Sequence, residues 1–224
     1  MIEFKNQSNI DEIFILDAID EYTFNAEEFK NSLNQCQGDI LNIHISSPGG
    51  SVFLGNTMAN MIQEYKMKSN KKVKCIINGL CASIATQIAL VADEIVMYEN
   101  SLFMIHLASC GMYGNKKEML EQIQLLDKID NILAKTYSNR TGLSVEECLD
   151  LMEKETWLNA QECLEYGFID TIVNQQIQLV AYADISKHNF KDITKLENLI
   201  SKIKEEEQTR ELLDLYKWLD NLDK

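Results

Sequence analysis

An α/β fold of repeated strand–helix–strand units is predicted by three features of the sequence. Apolar runs of strand length alternate with helical periodicity as far as residue 105. Two of those strands pass through small residues directly into helices. From Asn115 onward the pattern becomes purely helical. Alternation of this kind lays helices against a parallel sheet.

The first strand is Ile13-Phe14-Ile15-Leu16. Asn25 then opens a helix, with Glu28 completing a capping-box pattern and Phe29 and Leu33 sharing its apolar face. Ile40 to Ile45 is the second strand, followed by Pro48-Gly49-Gly50 and a helix from about Ser51 to Tyr65. Val73 to Ile77 is the third, followed by small residues and a helix that starts at Ser83. Glu94 to Met97 and Leu102 to Ile105 are further short strands. Met119, Ile123, Leu126, Ile129, Leu133 and Tyr137 then step by three or four, which marks one long amphipathic helix. Ser144 with Glu147, and Asn159 with Glu162, open two more helices, and Gly167 closes the second. The last part, residues 179–224, is richer in charge. Ile193, Leu196, Ile200 and Ile203 form one apolar stripe there, and Leu212, Leu215, Leu219 and Leu222 form another. An amphipathic helical extension is expected, set apart from a domain over residues 1–178.

Bulk properties exclude several classes of function. The 224 residues carry 35 acidic and 21 basic side chains, a net charge of −14. Such a surface repels phosphates, so no nucleic-acid partner is expected. The longest apolar stretch, Ile84 to Ala92, is interrupted by Thr86 and Gln87 and is too short for a membrane span. No signal-peptide core follows Met1, so the expectation is a cytoplasmic protein. Its six cysteines include no C-x-x-C pair, which argues for reduced thiols and against a metal site. No cofactor is expected.

Acyl transfer needs an activated nucleophile, a base for its proton and donors for the oxyanion. Gly49 and Gly50 can turn backbone N–H groups toward an anion at the start of a helix. Ser83 follows a strand and small residues and begins a helix, the mechanics of a nucleophile elbow without its consensus. In that geometry the Ile84 N–H points into the same oxyanion site. Of the three histidines, His106 ends a strand, where α/β active sites form, whereas His44 lies within one and His188 in the charged extension. The carboxylate that orients His106 is open on chemistry alone among Asp150, Glu153, Glu155 and Asp170.

Together these residues resemble the Clp protease proteolytic-subunit (ClpP) family, over about Ile13 to Ile172. Ile45-Ser46-Ser47-Pro48-Gly49-Gly50-Ser51-Val52 is similar to its oxyanion-hole loop, and Gly79-Leu80-Cys81-Ala82-Ser83-Ile84-Ala85 to its nucleophile segment. Met104-Ile105-His106 matches the segment of the base, and Thr156-Trp157-Leu158-Asn159-Ala160 the segment after the acid. The resemblance therefore implies the ClpP/crotonase-like fold and a triad of Ser83, His106 and Glu155, with glutamate where housekeeping members carry aspartate. It also implies that the helix over about 115–138 is the family's handle and that the chain forms homo-oligomeric rings, a heptamer or a pair of them. Leu107-Ala108 replaces the usual Gln-Pro, and the amino-terminal segment that meets an ATPase is not recognisable. Glu155-Thr156-Trp157 resembles the phage and prophage branch, whose members mature capsids. The expectation is an ATP-independent serine endopeptidase acting on proteins or peptides, with a capsid protein as partner. The alternatives are a subunit that works with an AAA+ unfoldase, an inactive ring-forming homologue, and a crotonase-like coenzyme-A enzyme.

Overall fold

The computed structural model describes residues 2–7, 9–23 and 25–173. The extension expected over 179–224, His188 and the last few residues of the expected 1–178 domain lie outside them.

The chain opens with a hairpin. Strand β1 (Ile2–Gln7) pairs antiparallel with β2 (Ile10–Ile15), Gln7 opposite Ile10. Periodicity alone predicts no strand before Ile13, because β1 is too short to show clear alternation and is secured by pairing. Helix α1 (Ala26–Gln35) is capped by Asn25, whose side chain accepts from Glu27 N–H and Glu28 N–H. Next come β3 (Ile40–Ser47) and α2 (Val52–Ser69). Helix α2 runs one turn beyond its predicted end, through Lys66, Met67 and Lys68, and stops where Asn70 turns left-handed at φ 54°.

Strand β4 (Lys72–Ala82) is longer than its apolar run predicts because it serves two neighbours. Lys74 to Ile77 pair with β5 (Glu94–Tyr98), and Leu80 to Ala82 pair with β6 (Leu102–Ile105). Between β4 and β5 lies the short helix α3 (Ile84–Leu90). Gly79 to Ala82 is therefore strand, and the turn into α3 is made at Ser83 alone.

The predicted long helix is α4 (Lys116–Thr141), with a capping box from Asn115 and Glu118 and a left-handed Gly142 at its end. Helices α5 (Val145–Glu153) and α6 (Ala160–Tyr166) open with the capping boxes predicted at Ser144 and Asn159. Two further strands, β7 (Thr156–Asn159) and β8 (Thr171–Val173), are short and gave no periodic signal.

Among the described residues one sheet has the order β1-β2-β3-β4-β5-β8, with β6 on β4 and β7 on β6. The central pairings are parallel, and β7 runs antiparallel to β6. Alternate residues of the sheet enter one core: Ile13 and Ile15, Leu41, Ile43 and Ile45, Val73, Cys75 and Ile77. Phe29 and Leu33 of α1, Met58 and Ile62 of α2 and Ile88 of α3 belong to the same core. The alternate set on β2, β3 and β4, including Phe14, His44 and Ile76, is only half-buried. The sheet therefore places the carboxyl ends of β3, β4 and β6 side by side.

Candidate active site

Ser83 stands where β4 ends and α3 begins, at φ 55° and ψ −130°. A side chain in that region is strained, so the surrounding bonds must hold it. Ser83 N–H donates to Met104 O at 2.9 Å. Its carbonyl accepts from Thr86 N–H at 3.0 Å and from the Thr86 hydroxyl at 2.6 Å. Thr86 Oγ1 lies in turn 2.7 Å from the buried Tyr137 hydroxyl of α4. Burial pushes the Tyr137 phenol up to about 12, so it stays neutral as a partner.

His106 follows β6 by one residue, and its Nε2 lies 2.8 Å from Ser83 Oγ. In the tautomer with its proton on Nδ1, Nε2 accepts from the serine hydroxyl, the arrangement needed for proton transfer. The two residues come together because β4 and β6 are neighbouring parallel strands, Ala82 beside Met104.

The glycine loop lies against the same point. Gly49 adopts φ 87°, and a Cβ placed on it would approach Ala82 O to 2.6 Å, Ser83 Cβ to 2.7 Å and Ile84 N to 3.1 Å. Only glycine permits that approach. The loop is clamped from the far side, where Ile19 N–H donates to Gly49 O at 2.8 Å and Ser51 N–H to Ile19 O at 2.7 Å. Gly49 N–H is already engaged, donating to Ser47 Oγ at 3.1 Å.

Glu155 precedes β7 and takes a left-handed φ of 48°. The β6–β7 ladder pairs Ile105 with Thr156, and extending it by one residue sets Glu155 across from His106. Its carboxylate is exposed, and Oε1 accepts from Trp157 Nε1 at 3.3 Å. The Met152 carbonyl accepts from both Leu107 N–H at 3.2 Å and Glu155 N–H at 3.1 Å. One atom therefore ties down the backbone after the base and the backbone of Glu155 across from it.

The other candidates from the sequence sort differently. Asp170 is held by Ile95 N–H at 2.7 Å and by Arg140 at 2.8 Å, a bond that joins α4 to the sheet. His44 stacks on Phe14 with centroids 4.5 Å apart and contacts Asn78 at 3.1 Å. Glu153 is exposed, at the end of α5, and Asp150 lies within that helix. Sequence reasoning missed Asp130, which is buried on α4 and accepts Ala108 N–H at 2.7 Å. The signal was available: an aspartate inside the stripe of Leu126, Ile129 and Leu133. Among the described residues no group of histidine, cysteine and carboxylate side chains is arranged to hold a metal.

A serine hydroxyl bonded to an imidazole beside a glycine-shaped anion cradle, all at the carboxyl edge of a parallel sheet, defines a serine peptidase of the ClpP/crotonase-like fold. The Clp protease family model matches residues 12–176. An ATP-dependent Clp protease proteolytic subunit from Streptococcus agalactiae serotype V is 32% identical over 141 residues, 61% of this chain and 70% of that one. A protein of the same description from Streptococcus pneumoniae is 33% identical over 135 residues, 58% of this chain and 67% of that one. A mutant ClpP1 from Listeria monocytogenes superposes with a TM-score of 0.64 at 24% identity, covering 74% of this chain and 92% of that one, which bears on the fold alone. The chain belongs to the Clp protease family.

Proposed function

We propose that this chain is a serine endopeptidase that cuts a limited set of protein sites without ATP, as phage and prophage members do in capsid maturation. The observation that carries the catalytic reading is the 2.8 Å contact between Ser83 Oγ and His106 Nε2 at a strained strand–helix turn. Ser83 Oγ attacks the peptide carbonyl while its proton passes to Nε2, forming a tetrahedral adduct and an imidazolium. Backbone N–H groups of Gly50 and Ile84 take the oxyanion, and that of Gly49 joins them on leaving Ser47 Oγ. Glu155 stabilises the imidazolium after exchanging Trp157 Nε1 for His106. The imidazolium then gives its proton to the leaving amine, and water releases the acyl group by the same steps in reverse.

The Glu155-Thr156-Trp157 sequence, Leu107-Ala108 after the base and the charged segment 179–224 support the specialised reading. In it, residues 1–178 form the peptidase, a capsid protein is the partner, and the chain works in the cytoplasm as a heptameric ring or a pair of rings. A second reading, a proteolytic subunit that works with an AAA+ unfoldase, is favoured by the names of the streptococcal relatives. The net charge of −14 speaks against nucleic acid. Among the described residues no helix is long and apolar enough to cross a membrane.

Intact mass after fluorophosphonate treatment tests the chemistry: one adduct is expected on the wild type and none on Ser83→Ala. An assembled protein without an adduct would instead be an inactive homologue or a crotonase-like enzyme. Digestion of an unfolded protein without nucleotide tests the regulation. Cleavage that begins only with ATP and an unfoldase would establish the second reading.

A further inference from the structure

We propose that Asp130, on the handle helix α4, is a positioning residue for the base, acting on His106 through the backbone that follows it and through its charge. This rests on the reading of His106 as the base. Ala108 N–H, two residues beyond His106, donates to Asp130 Oδ1 at 2.7 Å. Leu107 N–H, between them, is held by the Met152 carbonyl of α5 at 3.2 Å. The strand end that carries the imidazole is thus pinned from two helices.

A hydrogen bond alone does not explain an aspartate here. Asp130 is only 8% exposed, and a neutral asparagine would accept from Ala108 without placing a charge out of water. Burial pushes the Asp130 carboxyl up, the Ala108 N–H pulls it down, Asp127 on the same helix raises it, and His106 lowers it. The opposite charge acting on Asp130 is thus that of the protonated His106 ring. A carboxylate kept there at a cost in stability favours the imidazolium when it forms. Seven residues on, Tyr137 reaches Thr86 and, through it, the Ser83 carbonyl. Helix α4 therefore braces the backbone of both reacting residues.

The test is the pH dependence of fluorophosphonate labelling at Ser83 in the full-length assembled protein. Asp130→Asn retains the acceptor and removes the charge. Its labelling rate should fall about tenfold near neutral pH, the equivalent of one pKa unit. The acid limb of the profile should move down by roughly one unit, with the melting temperature unchanged or raised. Asp130→Ser repeats the measurement should the asparagine variant fail to assemble. Wild-type rate and profile in a folded variant would overturn the inference alone. Absence of any Ser83 adduct on the wild type would overturn both it and the catalytic reading.

Discussion

At Gly49 one methyl group would meet the Ala82 carbonyl and the Cβ of Ser83 at once, in a conformation that L side chains avoid. Gly49→Ala is therefore expected to slow fluorophosphonate labelling of Ser83 by roughly a hundredfold, the scale set by ångström misplacement of reacting groups. Far-ultraviolet circular dichroism should remain that of the wild type, and labelling at the wild-type rate would show that the loop does not set the site. Ser83, His106 and the glycine loop were legible in the sequence because each sits at a strand end marked by small or polar residues. Asp130 was passed over: its place inside an apolar stripe marked it as unusual, but its partner is a backbone N–H and no pattern of residue types records where that group points. Glu155 is intermediate. Chemistry left it among four carboxylates, the family resemblance singled it out, and the β6–β7 register sets it across from His106.

Helices announced themselves through their ends. The pairs expected to open helices at Ser144 and Asn159 form capping boxes with both bonds present, and Asn115 with Glu118 forms a third that periodicity alone did not single out. At α1 Asn25 caps the helix as expected, while the reciprocal bond from Glu28 is not among the described ones. In the α5 box Ser144 N–H, then its hydroxyl, holds the Glu147 carboxyl below the ordinary glutamate range. A lowered acid contributes stability above its ordinary pKa and loses it as pH falls through the lowered value. Ser144→Ala should therefore lower the melting temperature by roughly 2–4 °C at neutral pH. The gap to wild type should narrow in acid below the ordinary glutamate pKa, and a constant gap would show that the bond from the Ser144 hydroxyl to Glu147 contributes nothing, the backbone N–H being kept in the variant. Strands were harder to read than helices: β7 and β8 have four and three residues and owe their existence to their neighbours' edges. The extra reach of β4 has the same cause, since a second partner strand lies beyond its apolar run.

On the scale of the molecule, α4 changes character along its length. Leu133, Ala134 and Tyr137 are buried, whereas Met119, Leu120 and Ile123 near its start are about half exposed. An apolar stripe continued past the point where the described residues cover it fits a contact with another surface, which the proposed pairing of rings would supply. Covering side chains of this size contributes roughly 1.5–3 kcal/mol each when complete. Ile123→Asp is expected to reduce the assembled mass by light scattering without lowering helix content. An unchanged mass would move ring pairing to another surface. The half-buried sheet face around Phe14, His44 and Ile76 tells a related story, because parallel sheets are ordinarily covered on both sides.

The backbone at Ser83 has a consequence that reaches beyond chemistry. At φ 55° and ψ −130° glycine is the residue at ease, and every other side chain is held there by its surroundings. On the proposed reading, cleavage is what keeps an oxygen at that turn against the preference of the fold. In a lineage where the peptidase became dispensable, drift would favour its replacement by glycine, with the scaffold gaining rather than losing resilience. Decay of this enzyme would therefore begin at its nucleophile, and a glycine there would mark a gene whose product still assembles but has been released from cutting.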